Sequence, residues 1–210
     1  MTHADASELL SPMPVEPVTL RNARVTLEPI EPRHAADLHA AIDDSVFAHM
    51  PMRSSVRTLP EVRRYIEFQR RRADTIAFAV VDNASGSAIG STSFMGIRAE
   101  HRTLEIGSTW IAASARGTRI NPAMKHLMLA HAFETLGAVR VELRTDALNA
   151  CSRRAIEKLG AAQEGVLRSH MIMPDGRLRD TVVYAIVRDQ WPAVATSLRQ
   201  RLEGRAKHDH

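Results

Sequence analysis

The chain has a single cysteine, Cys151, among 210 residues. It can form no internal disulfide, and no cluster of cysteine and histidine has the spacing of a zinc site. Aromatic residues make up only 4% of the sequence, too few for the stacking platforms on which single-stranded nucleic acids lie. Helix-turn-helix, zinc-finger and RNA-recognition signatures are also missing, so nucleic acid is not an expected partner despite the formal charge of +4. No apolar run approaches the roughly 18 residues of a membrane span. The opening MTHADASELLSPMPVEP carries acids and prolines where a secretory signal has basic residues followed by an apolar run. These absences make a cytoplasmic location, with no membrane partner and no metal, the default expectation.

What is present is ordinary for a globular protein: 44% hydrophobic and 25% charged residues. The length suits one domain, expected over 18–203, with a partly disordered lead-in at 1–17 and a tail at 204–210. Strand-like alternation marks 24–30, 75–82, 88–98, 103–111, 140–146, 162–173 and 180–187. Helical spacing marks 33–43, a segment after Thr58 with Pro60 in its first turn, 122–136 ending at Gly137, 149–158 stopped by Gly160, and 189–203. Asn83–Ser87 and Pro174-Asp175-Gly176 read as hairpin turns. The expected architecture is a mixed α/β domain of about seven strands, its sheet both meandering and crossed over.

The segment 112–121 joins a strand to a helix and concentrates chemistry. The first N–H groups of a helix lack intrahelical partners, and the helix dipole puts partial positive charge there. Arg116, Arg119 and, one turn in, Lys125 add full charges. Asn121 is the expected cap and Pro122 the expected first helical residue. The combination suits a phosphate or pyrophosphate, and equally an ordinary capped helix with surface arginines. It is neither a Walker A loop nor a GxGxxG fingerprint.

Arg116-Gly117-Thr118-Arg119-Ile120-Asn121, with Lys125, resembles the acyl-coenzyme-A motif of the GCN5-related N-acetyltransferase (GNAT) superfamily. The form R-G-T-x-x-N-x-x-x-K resembles that of the RimJ/RimL-like branch, the ribosomal-protein N-terminal acetyltransferases. Arg119 and Asn121 stand where the general motif has Gly and Gly/Ala. The segments 145–168, 173–192 and 20–38 are similar to further parts of that branch, so the resemblance spans about 18–203.

The resemblance implies a GNAT fold, a mixed, mostly antiparallel sheet flanked by helices. The coenzyme would lie at the strand-to-helix junction near 111–122. It implies acetyl transfer from acetyl-coenzyme A to an amine, a small molecule or a protein N-terminus, by direct attack in a ternary complex. The coenzyme would be held by Trp110, Ile111, Arg116, Gly117, Thr118, Arg119, Ile120, Asn121, Lys125, Asn149 and Ser152. The catalytic set would be Glu105, Asn149 and Ser152. Glu105 is the expected base, with His170 as a weaker alternative; it also fits a structural ion pair. A backbone N–H near Trp110 or Ile111 would meet the oxyanion, and Trp110 equally fits the core. Asn149 would bind the pantetheine arm and also fits a helix cap. Ser152 would protonate the departing thiolate and also fits a surface position. Cys151 fits a bystander better than a nucleophile. Arg153 and Lys158 fit either the 3′-phosphate or solvated helix charges. The acceptor pocket is expected from the first two helices, the loop 43–57 and the last hairpin, with Asp43, Asp44, His49, Met50, Met52, His170 and Asp175. A homodimer is compatible with such domains, although no segment selects one. The alternative is a non-catalytic acyl-coenzyme-A-binding module, which would have no use for Glu105 or Ser152.

Overall fold

The computed structural model describes residues 11–50 and 56–204; Met52, the first ten residues of the lead-in and the tail beyond Gly204 lie outside the described residues. Its strands are β1 (Leu20–Arg21), β2 (Val25–Pro29), β3 (Ile76–Asp82), β4 (Ala88–Arg98), β5 (Thr103–Ile111), β6 (Arg140–Asp146), β7 (Ala162–Ile172) and β8 (Leu178–Val187). Its α-helices are α1 (Ala35–Ala41), α2 (Leu59–Arg71), α3 (Ile120–Ala130), α4 (Ala150–Glu157) and α5 (Trp191–Glu203). Among the described residues the sheet has eight strands, beside the expected count of about seven. The extra one, β1, is two residues long and pairs Leu20 with Leu27, too short to leave a periodic signal.

The strands form one sheet in the order β1-β2-β3-β4-β5-β6-β8-β7. All neighbours are antiparallel except β5 and β6. The two-residue period of a strand sends alternate side chains to opposite faces, and the core divides accordingly. Phe78, Phe94, Leu104, Ile106 and Leu143 pack with Met124 and Met128 of α3 and Leu198 of α5. Ala77 and Ala79 pack on the other face with Leu38 of α1 and Val62, Tyr65 and Ile66 of α2. Met13, within the lead-in, is buried in the first of these cores.

Strict alternation would put Trp110 with Leu104 and Ile106, yet it packs on the α2 face. A β-bulge re-phases the strand: Ser93 pairs with Gly107 and Ser91 with Trp110, two residues of β4 against three steps of β5. Ser108 takes φ 48 there, a left-handed conformation that non-glycine residues seldom adopt.

β5 and β6 run parallel only from Thr103↔Arg140 to Glu105↔Glu142. Beyond that point β5 stays on β4 and β6 stays on β8, where Asp146 pairs with Thr181. The sheet therefore opens into a wedge, with the bulge on one side and the start of α4 beyond the other.

Candidate active site

The wedge leads into a cleft of about 2610 Å³. Glu105, Trp110, Ile111, all residues from Arg116 to Asn121, Lys125, Asn149 and Ser152 line it, so the expected site residues are brought to one cavity.

The turn before α3 is shaped by local chemistry. Gly117 has φ 75 and a side chain there would meet nothing, so the backbone angle rather than crowding calls for glycine. Thr118 Oγ1 donates to Ala115 O at 2.6 Å and accepts from Ile120 N–H at 3.2 Å. That contact starts the helix earlier than expected. Arg119 is its N-cap, and no side chain caps it. The expected Asn121 cap and helix start at 122 are corrected: Asn121 lies inside the first turn. Pro122 is tolerated there because that N–H would be orphaned anyway. The helix also ends differently, passing at His131–Thr135 into a π-turn. The backbone N–H groups of Gly117, Thr118 and Arg119 have no hydrogen-bond partner among the described residues. With the helix dipole and the guanidinium groups of Arg116 and Arg119, they make a set of donors fitted to a pyrophosphate.

Arg116 is engaged in this structure. Its Nε donates to Ile111 O at 3.2 Å, Nη1 to Ser45 Oγ at 2.6 Å, and Nη2 lies 3.4 Å from Asp43 Oδ2. Lys125 does not reach the turn's surface. It is buried, and its Nζ donates to Thr109 Oγ1 at 2.8 Å, which in turn meets Thr92 Oγ1 at 2.8 Å. Burial pulls its pKa from 10.5 down to about 7, with the Glu105 charge opposing.

Glu105 faces the opposite side of the sheet. A Cβ on Gly107 would come within 2.7 Å of its Oε1 and 2.6 Å of Met95 Sδ, so the bare glycine makes room for the carboxylate. Burial raises its pKa, and Arg144, with Nε at 3.4 Å, draws it back. Trp110 fills core space: its Nε1 donates to Tyr65 OH at 3.3 Å. Its side chain is thus the core option, while its backbone sits in the parted strand.

Across the wedge, Asn149 caps α4, accepting Ser152 N–H on Oδ1 at 2.9 Å. Ser152 Oγ makes no hydrogen bond among the described residues. Cys151 is exposed. Arg153 is turned away, its Nε donating to Tyr184 OH at 3.3 Å, while Lys158 lines the cleft.

Of the residues expected at the acceptor, His49, Met50 and His170 line the cavity. The acids do other work. Asp43 meets Arg116, Asp44 lies 2.9 Å from Arg57, and Asp175 accepts Arg177 N–H at 3.0 Å within its own turn. Sequence reading missed Arg144, Asp146, Arg179 and Thr181, which line the cleft. Asp146 is fully buried, 2.6 Å from Arg177 Nη2. Glu142, Arg144 and Asp146 alternate along β6 in a pattern that reads as a solvent face, and no local signal distinguishes it from a polar cavity wall.

Among the described residues no helix is long and apolar enough to cross a membrane. Residues 24–162 match the family model described as an acetyltransferase (GNAT) domain. A GCN5-related N-acetyltransferase from Brucella melitensis superposes with a TM-score of 0.86 at 29% identity, over 91% of this chain and 89% of that one. An acetyltransferase structure from T. thermophilus superposes at 0.84 and 33% identity, over 90% and 100%. A Bacillus subtilis (strain 168) protein, provisionally named ribosomal N-acetyltransferase YdaF, is 28% identical over 81% of this chain and 94% of its own. With the parted strands, the bulge and the uncapped helix between them, these likenesses show that the chain belongs to the GNAT family of acetyltransferases.

Proposed function

We propose that the chain moves an acetyl group from acetyl-coenzyme A to a primary amine, by direct attack within a ternary complex. The observation that carries this reading is that one cleft joins an open, donor-rich helix N-terminus to a largely buried glutamate through the gap between β5 and β6. A protein N-terminus and a small-molecule amine are both acceptors of this class. The name carried by the B. subtilis relative favours the former.

In this reading the N–H groups of Gly117–Arg119, with Arg116 and Arg119, hold the pyrophosphate, and Asn149 orients the pantetheine arm. An alkyl ammonium has pKa near ~10 and must lose a proton before it attacks. Glu105 takes that proton, its own affinity raised by burial toward the working range of a base. N–H groups of β5 released from β6 beyond Glu105 face the carbonyl oxygen, where a preorganised donor is worth about 3 kcal/mol. The nitrogen sheds its second proton as the tetrahedral intermediate collapses. Ser152 Oγ, at the first turn of α4, donates a hydrogen bond to the departing sulfur and relays that proton to it, so the hydroxyl is restored. Cys151 is not required.

Acetyl-coenzyme A binding by titration calorimetry tests the coenzyme half. An aspartate in the first turn of α3 suits the helix dipole, so Asn121→Asp should fold at least as well as wild type. It should bind the coenzyme about ten-fold more weakly, because its carboxylate lies beside the phosphates. Absence of binding by wild type, or equal affinity in the variant, breaks the assignment.

A further inference from the structure

On the sheet wall of the cleft, among the described residues, Arg179 is a largely buried cation with no carboxylate at ion-pairing distance. Arg177 is matched to Asp146, which also accepts Leu148 N–H at 3.0 Å. Arg144 is matched to Glu142 at 2.7 Å and to Glu105 at 3.4 Å. Arg179 is only 7% exposed, and no carboxylate of the described residues lies within ion-pairing distance of it. Its Nη1 donates to His49 O at 3.3 Å, and its buried Nε has no partner. Burial weakens its hold on its proton, and Asp146 and Glu105 oppose that only at longer range. A guanidinium cannot shed its charge at ordinary pH. A buried one without a partner carries a desolvation cost that an arriving anion relieves.

The strand register fixes where that charge sits. Glu105 pairs with Glu142; along β6 the same face continues through Arg144 and Asp146, opposite Val183 and Thr181 of β8. Arg179 is the next residue of β8 on that face and pairs with Met171. All but Glu142 and Val183 line the cleft. Arg179 therefore shares a wall with the proposed base.

We propose that Arg179 is an anion subsite for the acceptor, and that the amine acetylated here carries a carboxylate held by this guanidinium. The inference rests on the acetyltransferase reading of the same cleft. A carboxylate is favoured over a phosphate on two grounds. Its planar pair of oxygens matches the guanidinium fork, and the nearby Asp146 and Glu105 charges disfavour a dianion. The carboxylate has two sources: the α-carboxylate of a free amino acid, or an acidic side chain next to a peptide's N-terminus.

Two matched acceptor pairs decide between these. One is an amino acid and its amide; the other is a short peptide with Asp at its second position and the same peptide with Asn. Thiol release is followed at saturating acetyl-coenzyme A for wild type and Arg179→Gln. The expected result is a preference of about ten-fold or more in kcat/KM for the acid member of one pair, expressed mainly in KM. The pair that shows it names the source, and the variant brings the ratio close to one. Equal turnover within both pairs, or a preference that the variant keeps, overturns the proposal. A second arm needs neither turnover nor the Gln variant. Wild type labelled with 15N-arginine is titrated with the N-acetylated acids and their amides, with the Arg179 Nε–H resonance identified by its loss in Arg179→Lys. A saturable shift with an acid and not with its amide supports the subsite, and no shift with any acid removes it. Absence of thiol release with every amine would count against the reaction itself and leave the subsite to be decided by the titration.

Discussion

In the proposed reading the two walls of the cleft recognise their ligands by different means. The wall built from 112–121 works with backbone: unpaired N–H groups, a helix terminus and a glycine in the left-handed region. The wall built from β5, β6 and β8 presents side-chain charge, buried at Asp146 and Arg179 and partly buried at Glu105 and Arg144. Backbone donors bind any ligand with the same anionic group and depend little on residue identity. Buried charges act only when held in mutual register, and they discriminate between acceptors. A family that shares one coenzyme and varies its amine would be expected to divide its recognition in this way.

The contrast breaks most sharply at Glu105. If this wall performs the chemistry, Glu105→Gln should lower kcat about a hundred-fold or more while leaving acetyl-coenzyme A affinity within about two-fold. The pH profile carries a second sign. Burial raises the Glu105 carboxyl above the ordinary carboxylate range, so the rate should climb with pH through a limb lying above that range. The variant should lose this limb. A variant that keeps the wild-type profile removes Glu105 from the role of base.

Lys125 sharpens the comparison from the other direction, since it is a buried charge belonging to the coenzyme wall. Its pKa of about 7 in the fold lies below 10.5 in the unfolded chain. Between those values the unfolded state binds the additional proton, so stability should rise with pH across that window, and the penalty is complete below it. At about 1.36 kcal/mol per pH unit, the difference between 10.5 and about 7 sets a ceiling of ~5 kcal/mol. Lys125→Met should raise stability by a few kcal/mol near pH 6, less the lost Thr109 contact, and flatten the slope up to pH ~10. Denaturant unfolding at several pH values reads both. A variant no more stable at low pH would mean that the ammonium is better solvated than its burial implies.

The elements of the backbone wall were legible in the sequence, whereas of the side-chain wall only Glu105 was. Arg116-Gly117-Thr118, Asn149-x-x-Ser152 and the order of the long elements are local patterns, and each reflects a local cause such as a cap, a turn or a period. The errors also have local causes that a pattern hides. Thr118 bonds its own turn and moves the start of α3 ahead of Asn121. The bulge at Gly107–Ser108 reverses the face on which Trp110 falls. The acids expected to greet an amine, Asp43, Asp44 and Asp175, are committed to Arg116, Arg57 and a turn amide. Arg179 stands beside Asp146 and Glu105 only because three strands distant in sequence are held in register, and nothing near position 179 signals it.

The smallest expected effect lies at the seam between the walls. Asp43 and Ser45 hold the Arg116 fork that the pyrophosphate is proposed to use. Hydrogen bonds from the Ser45 hydroxyl and N–H, and then the Arg116 charge, keep the Asp43 carboxyl below its usual range, so it is charged at any pH at which the protein would be assayed. Asn at 43 can still accept the Ser45 N–H and preserve the turn, but it carries no charge to compete with a phosphate. Exposed ion pairs of this kind are weak, so Asp43→Asn should tighten acetyl-coenzyme A by only about two-fold, with the difference shrinking as salt screens the pair. Weaker binding in the variant would instead mean that Asp43 orients Arg116 for the phosphates. The coenzyme wall would then depend on a side chain from the acceptor loop, and the division between backbone and side-chain recognition would not hold at this point.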